Sequence, residues 1–117
     1  MTYKLNFATP LEFKPQNYKG LGGVVGIYFI FLKEKRVTYP FRDSRLIYIG
    51  MSEMKTNSIA SRLSNHYDGK SGNLGLQNYL KITDLMFTYL NFDIIQSINM
   101  TKFLMSYLPV FYKKMAL

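Results

Sequence analysis

The chain has 117 residues, 15 Lys and Arg against 7 Asp and Glu, one His, and a formal net charge of +8. That length fits a single domain over 1–117, and 48% hydrophobic with 19% charged residues is a globular composition, not a disordered one. The absence of Cys excludes a thiol nucleophile, a cysteine-held zinc and a disulfide framework, and one His excludes a multi-histidine metal site.

Residues 1–21 read as a lead-in segment, broken by Pro10 and Pro15 and followed closely by Gly22 and Gly23. The opening MTYKLNFATP lacks the apolar stretch of a secretion signal. The longest apolar run, 21–32, falls short of the roughly 18–20 residues that a bilayer requires, so a cytoplasmic domain with no membrane association is expected. From Val24 to Leu32, β-branched and aromatic residues predict a buried strand. A polar connection containing Pro40 and Asp43 leads to a second strand, Arg45 to Met51, which makes an antiparallel hairpin with a long basic loop.

A helix follows, with Asn57 or Ser58 as its cap and Ile59, Leu63 and Tyr67 as its buried stripe. DGKSGN at 68–73 is a loop, Leu74 to Ile82 a short helix, and Asp84 to Leu90 a strand apolar on both faces. The last element is a helix from Asp93 to Leu108, ended by Pro109. The order β, β, α, α, β, α gives an α+β domain: a small central three-stranded sheet, antiparallel or mixed, flanked by helices.

The charge points to a polyanion. The first 70 residues carry 11 basic and 5 acidic side chains, and the remaining 47 carry 4 and 2. All four arginines, Arg36, Arg42, Arg45 and Arg62, lie within one short stretch, and a guanidinium grips phosphate oxygens in a way that an ammonium does not. KEKR at 33–36 taken alone reads as a solvated face. Arg36, Arg42 and Arg45 in the basic loop, with Lys55 and with Lys70 in the polar loop, are the expected contacts to nucleic-acid phosphates.

Two tripeptides carry the chemistry: Gly26-Ile27-Tyr28 in the first strand and Tyr48-Ile49-Gly50 in the second. Pairing in a hairpin brings the two hydroxyls toward one face of the sheet. Arg62 and His66, four residues apart, share one face of the following helix. Each feature alone is common, since the chain has ten tyrosines; together they outline a phosphate site.

GVVGIYFIF, RLIYIGMS with its Ser52, and IASRLSNHY resemble the GIY-YIG nuclease superfamily over about residues 22–112. The resemblance implies a DNA endonuclease that hydrolyses phosphodiester bonds with a divalent metal, magnesium or manganese. It implies that Tyr28 is the general base or positions the water, with its pKa lowered by Arg62. Tyr48 would hold water or phosphate, and His66 would shuttle a proton or bind phosphate. Several features depart from the family pattern: the connection over 29–47 is long, Met51 stands where a basic residue often follows the second tripeptide, Met100 stands where the metal-binding Glu is expected, and the asparagine often seen after the Pro has no counterpart. A thioether is the wrong donor for a hard cation. Only Asp84 and Asp93 remain as carboxylates after position 70, both at element starts where capping suits them. The alternative is therefore a catalytically impaired domain that binds DNA or regulates a related nuclease. Specificity would then come from the loops, a protein partner or a homo-oligomer.

Overall fold

The computed structural model describes residues 7–34, 37–38 and 43–91. Arg36, Arg42, Met100 and the helix expected over 93–108 lie outside the described residues. The described chain is α+β: a four-stranded antiparallel sheet with three α-helices. No helix among the described residues is long and apolar enough to cross a membrane.

The two strands of the expected hairpin are β2 (Gly26–Leu32) and β5 (Leu46–Ser52), paired antiparallel with Tyr28 opposite Gly50 and Ile30 opposite Tyr48. The strand expected from Asp84 is β6 (Leu85–Asn91), which lies on the other side of β2 with Tyr89 opposite Tyr28. Central β2 is buried along its whole length, which is what its unbroken apolar sequence requires.

The expectation of three strands is corrected by the lead-in, which supplies β1 (Leu11–Glu12) against the free edge of β6 and gives the order β1-β6-β2-β5. Backbone bonds from Ala8 N to Tyr89 O and from Phe13 N to Leu85 O extend that contact on both sides of β1. After β1 comes α1 (Pro15–Tyr18), with Pro at its start where a missing N–H costs nothing, and then one 3₁₀ turn, Lys19–Leu21. Phe13 and Tyr18 from this segment are core residues. Within the connection between β2 and β5, β3 (Val37–Thr38) pairs with β4 (Asp43–Ser44) as a separate two-stranded piece.

Helices α2 (Ile59–Tyr67) and α3 (Leu74–Ile82) keep the expected bounds. Ser58 occupies the N-cap of α2 in extended backbone, but its side chain makes no capping bond. The helix start is tied to the sheet instead, through Ile59 N–H donating to Val24 O at 2.9 Å. Asn73 does cap α3, accepting from Leu76 N. Side chains alternate across a strand, so Tyr28, Ile30 and Leu32 face α2 and pack with Ile59, Leu63, Leu76 and Phe87, while Ile27, Phe29 and Phe31 are buried on the opposite face.

Both glycines of the tripeptides are steric requirements. Gly26 has φ +152°, and a Cβ there would run into the Leu90 carbonyl of β6. Gly50 lies under the Tyr28 ring, where a Cβ would overlap the phenol. The absent side chain at Gly50 is what lets Tyr28 lean across β5 toward Tyr48.

Candidate functional site

Tyr28 and Tyr48 are diagonal neighbours on the α2 face, their rings stacked with centroids 6.0 Å apart and planes 29° from parallel. His66, one turn after Arg62 on α2, closes a triangle of rings. Its imidazole lies 4.7 Å from Tyr48, edge to face, and 5.8 Å from Tyr28. A hydrogen bond of 2.9 Å joins Tyr28 Oη to His66 Nε2. The two tyrosines, Arg62 and His66 line one cleft of about 250 Å³ with Asn65 and Ser71. Here the structure brings together all four residues on which the sequence motif rests.

The end of α2 completes the arrangement. Gly69, at φ +78°, reverses the chain in a Schellman motif: Gly69 N–H donates to His66 O, and Lys70 N–H to Asn65 O at 2.8 Å. Ser71 N–H also reaches Asn65 O, at 3.2 Å, which folds the loop back along the helix. The reversal sets Ser71 Oγ 2.8 Å from His66 Nδ1. Gln77 of α3 donates to the His66 carbonyl, pinning the same turn from the other side.

Electrostatics in the cleft correct one sequence expectation. Burial pushes the Tyr28 phenol well above its ordinary pKa of 10.0, the Tyr48 hydroxyl adds to that, and the Arg62 charge only partly opposes it. Tyr28 is 0% exposed, so the desolvation of a phenolate outweighs the nearby guanidinium. His66, 6% exposed, has its pKa lowered from 6.5 by burial and then by the Arg62 charge. Both groups are therefore neutral near pH 7, and the imidazole is the more available base.

Arg62 separates this cleft from a second of about 230 Å³ lined by Met51, Ser52, Glu53, Met54 and Asn57. Its Nε is buried and has no hydrogen-bond partner among the described residues. Ser52 is structural: buried, it donates to Asn57 O at 2.6 Å and fixes the turn into α2. Of the expected phosphate contacts, Lys55 lies exposed in that turn, beside the second cleft, and Lys70 lies exposed next to Ser71.

Arg45 is not brought to the cleft. Its guanidinium lies 5.3 Å from the centre of the Phe31 ring, on the opposite sheet face, and donates to Lys33 O at 3.2 Å. The backbone bond from Leu32 N to Arg45 O places it four strand positions from Tyr28, about 13 Å along the sheet. The loop that begins at Lys33 thus leaves from a part of the sheet removed from the cleft.

No group of three or more His, Cys, Asp or Glu able to hold a metal occurs among the described residues. Asp84 sits five positions from Tyr89, about 17 Å from the level of Tyr28, and is excluded as a ligand there. Among the described residues, Glu53 is the one carboxylate lining either cleft, and it is in the second. A hard divalent cation takes oxygen ligands in number, and these donors do not amount to such a set. Asn65 and Ser71 had no place in the sequence motif. The signal for Ser71 was the Gly69 that reverses the chain after a helix.

No family model matches the chain, and neither the curated proteins nor the solved structures contain a match to it.

Proposed function

We propose that the chain is a GIY-YIG-type nuclease domain that binds DNA at the Tyr28–Tyr48–Arg62–His66 cleft and hydrolyses a phosphodiester bond there. The observation that carries this reading is the hydrogen-bonded Tyr28–His66 pair beside a guanidinium whose Nε has no partner among the described residues. Phosphodiester hydrolysis needs a cation on the phosphoryl oxygens, a positioned water and a base to take its proton. Arg62 takes the phosphate. Tyr48, stacked on Tyr28, orients the water. As that water attacks phosphorus and the new P–O bond forms, the bond to the leaving deoxyribose oxygen breaks and that oxygen takes a proton from solvent, while the water's proton passes to Tyr28 Oη and the phenol proton to His66 Nε2. Tyr28 thus relays a proton without existing as a free phenolate, in keeping with its buried setting.

The divalent cation, magnesium or manganese, belongs to this reading through the sequence resemblance alone. The described residues do not form a site for it, and no step is assigned to it. A cleft lined among the described residues by tyrosines, an arginine, an asparagine, a histidine and a serine also suits a second reading, a domain that binds or regulates at DNA without cutting. Lys55 and Lys70 add sequence-independent phosphate contacts in both readings, so affinity should fall steeply with salt. A DNA substrate also implies an intracellular place, and base specificity would come from the loops, a protein partner or a second copy.

The test is nicking of supercoiled plasmid with magnesium or manganese and with EDTA, comparing the wild type with Tyr28→Phe and Arg62→Ala. Nicking lost in both variants supports the nuclease. Salt-sensitive DNA retention without nicking supports the second reading, and neither binding nor nicking overturns both.

A further inference from the structure

We infer that Ser71 is a positioning residue that locks the His66 imidazole in its Nδ1–H tautomer and connects the buried Tyr28 hydroxyl to solvent. A guanidinium has only donors, so Arg62 beside the phenol can address only the lone pairs of Tyr28 Oη. The Tyr48 hydroxyl, which also meets the phenol, can itself donate to Oη, and the phenol proton is then directed to the imidazole, whose Nε2 lies 2.9 Å away. With Nε2 accepting, the neutral ring carries its proton on Nδ1, and that N–H needs an acceptor. Ser71 Oγ is that acceptor, at 2.8 Å. The same oxygen takes a longer contact from Asn73 N–H at 3.4 Å, which fills its second lone pair. Its own O–H is left for water, since Ser71 is exposed.

The chain of donors therefore runs outward: Tyr28 O–H to His66 Nε2, His66 Nδ1–H to Ser71 Oγ, Ser71 O–H to solvent. One passage along it balances. Tyr28 gives its proton to Nε2, Nδ1 gives its proton to Ser71, and Ser71 releases its original proton to water. Tyr28 takes up the proton of the attacking water in the same movement, and the imidazole ends as the Nε2–H tautomer. Ser71 holds this place because the Schellman reversal at Gly69 and two bonds to the Asn65 carbonyl fold the loop onto the helix end. The rate consequence rests on the nuclease reading above. The tautomer does not.

The chain has one histidine, so the imidazole nitrogen signals of the intact, isotopically labelled protein belong to His66 without assignment. Long-range proton–nitrogen correlation well above the imidazole pKa should give a protonated Nδ1 and a bare Nε2. Ser71→Ala should abolish that preference, and Ser71→Thr, which keeps the hydroxyl, should restore it. An Nε2–H imidazole in the wild type, or an unaltered Nδ1–H form in Ser71→Ala, would overturn the inference. In parallel, nicking should fall about 10- to 100-fold in Ser71→Ala, a part of what a positioned base contributes, and recover in Ser71→Thr. Absence of nicking from every variant would overturn the nuclease reading, while the spectra alone decide the role of Ser71.

Discussion

Arg45 and Arg62 are the same residue type, 17 positions apart in the same basic stretch, and each has a buried Nε without a partner among the described residues. Their surroundings differ. Arg45 lies on the Phe31 ring and donates to the Lys33 carbonyl, so its charge is used within the fold. Arg62 stands between two open clefts, beside two tyrosines and an imidazole, with Lys55 and Lys70 at the margins. One arginine fastens the hairpin. The other, in the proposed reading, meets the anion. A basic stretch that reads as one feature in the sequence therefore divides in the fold between a cation held against an aromatic ring and one that lines open clefts.

Removing each arginine in turn should show the two environments most clearly. Arg62→Ala should lower nicking about 100- to 1,000-fold, the range seen when a preorganised charge or donor is taken from a transition state, and should weaken DNA binding as well. Arg45→Ala should leave nicking within about 2-fold of wild type. Plasmid nicking and a salt-dependent binding titration read both. Equal losses from the two variants would mean that Arg45 reaches the DNA despite its place on the other face.

Gly50→Ala tests the packing that aims the Tyr28 hydroxyl. The added methyl overlaps the phenol ring, and forced overpacking of this kind costs about 1–3 kcal/mol. A lowered urea midpoint with loss of nicking is expected. Unchanged stability would show that Tyr28 has room to move aside, and the cleft would then be less fixed than its neighbours imply. Arg45→Ala has a smaller cost, about 0.5–1 kcal/mol for a partly exposed cation on an aromatic face, read as a midpoint shift without loss of cleavage.

How far the sequence disclosed this arrangement follows from how local each signal is. The β2–β5 pairing, α2, α3 and β6 were legible because unbroken apolar runs in the strands and apolar spacing in α2 report directly on burial, and Tyr28, Tyr48, Arg62 and His66 fall together because two adjacent strands and one helix face fix them. β1 was hidden: two residues between prolines have no periodicity, and only the free edge of β6 makes them a strand. Ser71 was hidden for a similar reason, since an exposed loop serine acquires its role through the reversal at Gly69. The pKa of Tyr28 was misread because the sequence shows the lowering charge of Arg62 but not the depth of the ring beneath α2.

The smallest expected effect separates the two regions by pH. His66 is held neutral by burial and by the Arg62 charge, below its ordinary value of 6.5, while Tyr28 and Tyr48 face it from the strands. As pH falls through about 6.5 the unfolded chain binds a proton that the folded chain does not yet bind. The unfolded state then carries more protons, and stability falls with acidification over that window. Urea midpoints from pH 7.5 to 5 should decline in the wild type and in Arg45→Ala alike, and the decline should flatten in His66→Gln. Glu12, whose exposed carboxylate is held below 4.5 by Lys14 and Lys33, acts in a lower window: its contribution is present above 4.5 and is lost as pH falls further. A wild-type midpoint that rises between pH 7 and 5 would mean that the fold favours an imidazolium at His66. The Nε2 acceptor for Tyr28 would then be gone, and Arg62 would share the cleft with a second cation instead of a base.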